Sequence, residues 1–352
     1  MNIIEETSSY LVINNYNKLI NKSINNSIIG FDLDNTIIKF NLKSSHCELM
    51  YKNTIDKLKE INKTSHIIII TNQKKLKDKN YYILFTTKIQ SLLDTFTKNN
   101  IFVDIYASSD NDNYRKPCTG LYDLIYNKYN KYLKYYCGDA VGRPGDFSDT
   151  DYKFALNNNI KIVTPEHIFL DQENILGNIK YPKLNITYYN FNFEPKNKEM
   201  IIMCGYPASG KSYISQRIVE RGYLDYKYYV IINRDTLVTV NKCIKVCERA
   251  LINNFNVVID NTNPDIKTRK IYIDLAKKYN YKIRLINMIT SYDESLHNNH
   301  YRSIKYNRTL IPTIAYNCYK SKYEKPSTQE DIDEIIDCGI NIYDIDYNKY
   351  YF

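Results

Sequence analysis

Residues 205–212 read Gly-Tyr-Pro-Ala-Ser-Gly-Lys-Ser, a full match to G-x-x-x-x-G-K-[ST], and no other stretch restricts the fold as strongly. An apolar run of strand type, residues 200–204, leads into the motif, and a helix-compatible segment follows it. In that setting the backbone of Gly205, Pro207, Ala208, Ser209 and Gly210 can turn tightly enough for its N–H groups to surround phosphate oxygens at a helix N-terminus. Lys211 is expected to reach the β- and γ-phosphates of ATP, and Ser212 to offer its hydroxyl to Mg²⁺. A chance Gly-rich turn is the bland alternative. Such domains open near this strand, yet residues 1–199 come first, so the leading half needs its own explanation.

A chain of 352 residues suits two domains of ordinary size, each with its own core. The charge balance is 48 − 39 = +9, which fits a polyanionic partner and fits equally a Lys-rich soluble surface. The eight cysteines form no C-x-x-C pair, and Cys243 and Cys247 stand at helical i,i+4 spacing. Neither zinc nor a disulfide framework is indicated. The N-terminal residues carry no basic stretch followed by a long apolar one, and no segment approaches the length of a membrane span. A soluble, intracellular chain is expected, with no membrane partner, nucleus and cytoplasm undistinguished, and a monomer.

Residues 27–31 are a strand candidate ending in Asp32-Leu33-Asp34-Asn35-Thr36. Residues two apart in an extended chain point the same way, so Asp32 and Asp34 can converge at the carboxyl end of a strand. One such carboxylate can attack a phosphoryl group while the other moves a proton to the leaving oxygen and then from water. A helix is expected over residues 51–63 and a strand over 66–70, running into Thr71-Asn72-Gln73. Thr71 is suited to hold a phosphate oxygen, or to cap a helix. A helix over 79–100 and a strand over 101–107 follow, then Arg115-Lys116-Pro117, a helix over 120–131, and a strand over 135–137 that ends in Gly138-Asp139. Lys116 could neutralise a phosphoryl group, and Asp139 adds a carboxylate where an oxygen-rich Mg²⁺ site needs one. Strands alternating with helices, with polar residues at strand ends, describe a doubly wound α/β sheet whose ligands bind at that edge.

The set D-x-D-x-T, T-N-Q, R-K-P and G-D resembles the haloacid-dehalogenase-like phosphohydrolases. The wording RKPCTGLYD, GDAVGRP, DFS with Asp151 and FALNNNI beyond it, and IVTPEHIF is similar to the phosphatase domain of the polynucleotide kinase 3′-phosphatase family. The resemblance implies Asp32 as nucleophile and Asp34 as general acid–base, with Asp32, Asp34 and Asp139 around Mg²⁺ and Thr71 and Lys116 on phosphate. Asp146, Asp149 and Asp151 lie close by, and which of them supports the site is left open, since each could cap a helix.

Between residues 171 and 198 the helical period dissolves, and a domain boundary is expected toward Glu194-Pro195-Lys196-Asn197-Lys198, dividing the chain into 1–194 and 195–352. Beyond the P-loop, a strand over 228–233 ends in Arg234-Asp235, and Asp235 could accept the proton of an attacking hydroxyl. A helix over 241–254, a strand over 256–259, a helix over 265–279, a strand over 282–289 and a polar helix over 292–306 carrying Arg302 complete the pattern. A polar helix with spaced arginines is commonly a solvated face; in a P-loop kinase it can close over ATP as a lid.

GYPASGKS, NRDTL, DNTNPD with Thr268-Arg269 beyond it, HNN and Ile311-Pro312 resemble, in order, the kinase domain of the same family. That implies Lys211 and Ser212 for ATP and Mg²⁺, Asp235 as general base toward a 5′-hydroxyl, and Arg302 as a lid contact. Where the family tends to read HNNRFR, this chain reads HNNHYR, with His300 in place of an arginine. No forkhead-associated domain leads the sequence, so phosphopeptide-dependent recruitment is not expected. The order, phosphatase before kinase, resembles the animal enzymes.

The fold expected is therefore two doubly wound parallel-sheet α/β domains, haloacid-dehalogenase-like then P-loop. The function expected is DNA end healing: removal of a 3′-phosphate and ATP-dependent phosphorylation of a 5′-hydroxyl, giving ends that a ligase joins. RNA end healing with the same centres is the nearest rival. A metabolite kinase fused to a small-molecule phosphatase is a second, and a non-catalytic strand-end binder a third.

Overall fold

The computed structural model describes residues 1–16, 27–174, 176 and 192–351. It divides into two compact units, Met1–Tyr181 with Lys349–Phe352, and Pro182–Asn348. Much of the patternless stretch expected over 171–198 lies outside the described residues.

In the first unit the sequence writes four buried strands side by side. β1 (Asn2–Glu6) and β2 (Tyr10–Asn14) form an antiparallel hairpin. β3 (Ser27–Phe31) follows, then α1 (Thr54–Thr64), β4 (Ser65–Asn72), α2 (Lys79–Lys98) and β5 (Val103–Ser108). The chain continues through α3 (Gly120–Tyr129), β6 (Leu133–Cys137), α4 (Thr150–Asn157), β7 (Ile162–Val163) and α5 (Pro165–Leu170). The seven strands lie in the order β1-β2-β5-β4-β3-β6-β7. Ile67, Ile68, Ile69 and Ile70 of β4 are all fully buried, as expected of a central parallel strand covered by helices on both faces.

β3 to β7 pair in parallel. β2 joins β5 antiparallel, so the sheet is mixed, a feature the doubly wound expectation did not include. The sequence-derived strand over 27–31 is recovered residue for residue, and the other expected elements of this half are recovered within a few residues. α4, β7 and α5 were not foreseen as elements.

In the second unit all five strands are parallel, in the order β12-β11-β8-β10-β9. β8 (Glu199–Cys204), buried throughout, passes through residues 205–210 into α6 (Lys211–Leu224). β9 (Tyr229–Ile232), α7 (Arg234–Leu237), α8 (Val240–Ile252), β10 (Asn256–Ile259) and α9 (Ile266–Lys278) come next. β11 (Lys282–Met288), α10 (Tyr292–Tyr306), α11 (Thr313–Lys322) and β12 (Glu334–Cys338) finish the unit. Cys243 and Cys247 sit buried on one face of α8, where their spacing put them, and all eight cysteines are free thiols. Among the described residues no helix is long and apolar enough to cross a membrane.

Candidate active sites

Parallel strands deliver their following loops to one edge, and the first unit assembles its polar residues there. Asp32 follows β3 directly, its N–H donating to Cys137 O at 2.8 Å. Lys116 Nζ donates to Asp32 Oδ1 at 2.6 Å, to Asp151 Oδ1 at 2.7 Å and to the Tyr136 hydroxyl at 2.7 Å, while Tyr136 donates to Ile70 O at 3.1 Å. The ammonium is thus fixed by three oxygens in a buried pocket. Burial pulls the Lys116 pKa down, but the carboxylates of Asp151 and Asp32 outweigh it and hold the pKa above the ordinary lysine value. Asp32 titrates well above the usual carboxylate range, through burial first and then through the carboxylates of Asp151, Asp139 and Asp34 against the opposing Lys116.

One oxygen each of Asp32, Asp139 and Asp151 lies within 4.8 Å of the others. Asp139 is pushed up to about 6, by burial and then by the Asp151 charge. Three crowded carboxylates against one ammonium leave excess negative charge, and an all-oxygen donor set suits a hard divalent cation such as Mg²⁺. The residues fit that group. Asp34, expected among its ligands, is not in this cluster. Asn35 takes a left-handed φ of 55°, the chain turns, and Asp34 Oδ2 accepts from Gln73 Nε2 at 2.7 Å instead. Burial raises the Asp34 pKa despite that bond.

Thr71 is a buried residue of β4 rather than a helix cap, and its hydroxyl accepts from Gln73 Nε2 at 2.9 Å. Of the three open candidates, Asp151 reaches the site. Asp146 instead accepts from the N–H groups of Val141 and Arg143 at 3.2 and 2.9 Å, closing the turn beyond Asp139. Asp149 stands at the N-cap of α4 and pairs with Lys153. Gly138 is required by close approach: a Cβ there would lie 2.3 Å from Asp151 Oδ2.

In the second unit the phosphate-loop sequence forms the expected strand–loop–helix. Gly210 at the start of α6 has φ 98°, and a Cβ on it would lie 2.3 Å from Ile340 Cγ2, so the glycine is needed twice over. Lys211 Nζ donates to Gly205 O at 3.0 Å and Tyr206 O at 2.5 Å. Burial lowers its pKa to about 8. Ser212 Oγ donates to Asp260 Oδ2 at 2.7 Å, and the same oxygen accepts from Asn233 Nδ2 at 3.0 Å. Asp260 Oδ1 is buried without a hydrogen-bond partner. A serine hydroxyl beside an unsatisfied buried carboxylate oxygen also fits a divalent cation.

A cavity of about 1210 Å³ opens over this loop, and Lys211, Ser212, Asp235, Asp260 and Arg302 all line it. Asp235 is exposed on α7, whose first turn is capped by Asn233 accepting from Asp235 N at 2.6 Å. Arg302 comes from α10. Burial lowers its pKa, and its Nε is buried without a partner. His300 is half-buried, and burial holds it below the ordinary imidazole value.

The HNN triplet is a brace. Asn298 Nδ2 donates to Ala208 O of the phosphate loop at 3.1 Å, and Asn299 exchanges two hydrogen bonds with the backbone of Ile311 at 2.9 and 3.0 Å. Sequence reasoning did not assign Tyr136, Gln73, Asp260 or Asn298. Asp260 carried a usable signal, an acidic residue at the end of a strand beside the phosphate-loop strand. Tyr136 carried none.

One edge therefore carries a carboxylate–lysine phosphoryl site and the other a P-loop phosphotransfer site, the two halves of a phosphatase–kinase. Residues 27–169 match the family model for polynucleotide kinase 3 phosphatase, and residues 200–326 match an AAA domain model. A protein of Acanthamoeba polyphaga mimivirus that bears a bifunctional polynucleotide phosphatase/kinase name is 35% identical over 380 residues, 94% of this chain and 88% of that protein. The bifunctional polynucleotide phosphatase/kinase of Schizosaccharomyces pombe is 34% identical over 295 residues, 80% of this chain and 70% of that protein. A polynucleotide 3′-phosphatase of Saccharomyces cerevisiae matches over 96 residues at 34% identity, 21% of this chain and 40% of that one. The chain belongs to the polynucleotide kinase 3′-phosphatase family and is a bifunctional polynucleotide phosphatase/kinase.

Proposed function

We propose that this protein heals DNA ends, with the 3′-phosphatase in residues 1–194 and the 5′-kinase in residues 195–352. In the phosphatase, the Asp32 carboxylate attacks the phosphorus of the terminal 3′-phosphate. The bond from phosphorus to the 3′-oxygen breaks, and Asp34 donates its proton to that oxygen. Gln73, which donates to both Asp34 Oδ2 and the Thr71 hydroxyl, holds that carboxyl beside the proposed phosphate contact. Water, losing a proton to Asp34, then hydrolyses the aspartyl-phosphate and releases inorganic phosphate. Lys116 and Thr71 hold the phosphoryl oxygens. Asp32, Asp139 and Asp151, and in the kinase Ser212 with Asp260, would hold Mg²⁺, which would supply charge neutralisation at the phosphoryl groups.

In the kinase, Asp235 takes the proton of the 5′-hydroxyl as its oxygen attacks the γ-phosphorus of ATP, and ADP leaves. Lys211 and Arg302 neutralise charge on the transferred group. The observation that carries this half is that Lys211, Ser212, Asp235 and Arg302 line one cavity. The products, a 3′-hydroxyl and a 5′-phosphate, are the ends a ligase consumes, which makes a ligase the downstream partner.

The motif wording shared with the polynucleotide kinase 3′-phosphatases and the +9 charge support a polymeric acceptor. The test is one assay of phosphate removal and phosphate transfer on matched DNA and RNA ends. Faster turnover of DNA ends is expected. A preference for RNA, where the 2′-hydroxyl is the only added handle, overturns the DNA assignment. Turnover of free nucleosides with no polymer preference overturns the end-healing reading altogether.

A further inference from the structure

This protein pairs buried and half-buried guanidinium groups with carboxylates. Arg269 donates to both oxygens of Glu330 at 2.7 and 2.8 Å, Arg284 pairs with Glu199, and Arg143 pairs with Asp146 and Glu166. Among the described residues, two arginines instead leave a buried N–H without a hydrogen-bond partner: Arg302 Nε and Arg115 Nη1. Both side chains are half-buried, so part of each guanidinium stays open to solvent while one N–H goes unsatisfied, a state that an anion supplied from outside would relieve. For Arg302 that anion is at hand, because the residue lines the cavity over the phosphate loop. Arg115 stands in the other unit, and no mechanism described above uses it.

The backbone next to Arg115 lies beside the phosphatase site. The next residue, Lys116, reaches Asp32 at 2.6 Å. The backbone at that point is stitched to the end of β4: Lys116 N donates to Asn72 Oδ1 at 2.9 Å, and Asn72 Nδ2 donates to Lys116 O at 3.0 Å. The exposed lysines 74 and 75 begin two residues beyond Asn72, so a second basic segment adjoins the same edge. Burial alone acts on the Arg115 guanidinium and lowers its pKa, with no carboxylate opposing it.

We infer that Arg115 binds the phosphodiester one nucleotide upstream of the 3′-phosphate being removed, with Lys74 and Lys75 continuing a basic track for the strand. The terminal phosphate already has Lys116 and Thr71, so Arg115 serves the next phosphate along. A planar five-donor fork suits a phosphodiester held bidentately. This inference rests on the phosphatase reading and deepens it, by making the substrate a strand of at least two nucleotides rather than a terminal phosphate alone.

The test compares thymidine 3′-phosphate, which lacks the upstream phosphodiester, with thymidylyl-thymidine 3′-phosphate, which has it. In Arg115→Gln the ratio of kcat/KM for the dinucleotide over the mononucleotide is expected to fall by roughly 10- to 100-fold, the range for a charge-assisted hydrogen bond. The log–log salt dependence on an oligonucleotide should become shallower by about 0.7, one phosphate contact on a single strand. Arg115→Lys, which keeps the charge and loses the fork, should fall between the two. Thermal melting of each variant reports folding of the phosphatase unit; if Arg115→Gln loses its transition, Arg115→Lys carries the comparison. Equal losses on the two substrates, with an unchanged salt slope, overturn the inference and leave the phosphatase standing. Wild-type protein inactive on 3′-phosphorylated oligonucleotides overturns the phosphatase reading itself, and the inference with it.

Discussion

Lys116 Nζ stands 2.6 Å from Asp32 Oδ1, and the pair is buried, so the proposed nucleophile carries its own counter-ion. In the proposed reaction an incoming phosphoryl group takes over that ammonium as Asp32 is consumed in bond formation. Asp32→Asn keeps the shape but cannot form the phosphoryl-enzyme. It is expected to abolish 3′-phosphate release while leaving the kinase near wild type, and Lys211→Ala to do the reverse. Measuring the two activities on each purified variant checks the assignment; appreciable phosphatase turnover by folded Asp32→Asn removes Asp32 from the nucleophile's role.

Gly138 bears on the same pair from behind. A methyl group at this position would lie 2.3 Å from Asp151 Oδ2, which is anchored by Ala140 N at 3.1 Å, while Asp151 Oδ1 holds Lys116. Gly138→Ala must displace Asp151, and with it the lysine. Overpacking of this kind costs about 1–3 kcal/mol. We expect a lowered melting temperature and a phosphatase rate down by more than about tenfold, with the kinase as internal control. A variant as active as wild type would mean that Asp151 has room to move without releasing Lys116.

How far the sequence could be read is clearest at the two aspartates of D-x-D-x-T. Period-two geometry predicts that Asp32 and Asp34 share a site, and they do stand at one strand end. The left-handed Asn35 then turns the chain, so that Asp34 meets Gln73 while Asp151, far along the sequence, completes the carboxylate cluster. Local spacing reports direction within a strand; it does not report which loop returns from across the sheet. Hence Asp139, at a strand end, was legible, and Lys116 was legible through the R-K-P wording; Tyr136, whose hydroxyl matters only because Lys116 arrives beside it, was not. The β1–β2 hairpin was missed because its first strand is largely exposed and lacks an apolar period. In the second unit the phosphate-loop motif fixed the central strand and its helix, and the polar α10 matched its expected limits at both ends.

Lys211 offers a pH signature. Burial lowers its pKa from 10.5 to about 8, whereas bound phosphates favour the charged form. In the free protein the lysine is therefore protonated below about pH 8 and increasingly neutral above it. Nucleotide binding above that point must take up a proton, so affinity should fall as pH rises, approaching tenfold per unit at the limit. Titration with a fluorescent ATP analogue between pH 7 and 9.5 measures this, and Lys211→Arg, which stays charged, should flatten the trend. A wild-type affinity independent of pH over that range contradicts the lowered pKa.

Asp235 is the one carboxylate of the kinase cavity that is exposed and borne on a short helix, whereas Asp260 is buried and tied to Ser212. That difference supports the proposed division of labour, Asp260 toward the cation and Asp235 toward the hydroxyl. Asp235→Asn should lower the kinase rate by roughly 10²–10⁴, the usual range for a lost general base. A change confined to the Michaelis constant of the acceptor would convert Asp235 into a positioning residue.

Where the two neighbouring side chains stand favours Arg302 over His300 as the proposed lid charge. Arg302 lines the cavity with Lys211 and Asp235, its Nε buried and unpartnered. His300 is half-buried, does not line that cavity, and is held by burial below the ordinary imidazole pKa, so at pH 7 it is neutral and carries no charge to offer a phosphoryl group. An arginine neutralising the transferred group is worth roughly 10³–10⁵ in rate. Arg302→Ala should therefore cripple the kinase, and His300→Ala should cost little. The sign of the pH dependence separates the two residues. A protonated His300 contributing to catalysis would make the rate fall as pH rises through the imidazole range near 6.5, and His300→Arg would remove that fall. With a depressed pKa and no place on the cavity wall, neither effect is expected: the profiles of wild type and His300→Arg should coincide from pH 6 to 8. A wild-type fall that the arginine substitution flattens would transfer part of the lid's charge from Arg302 to His300.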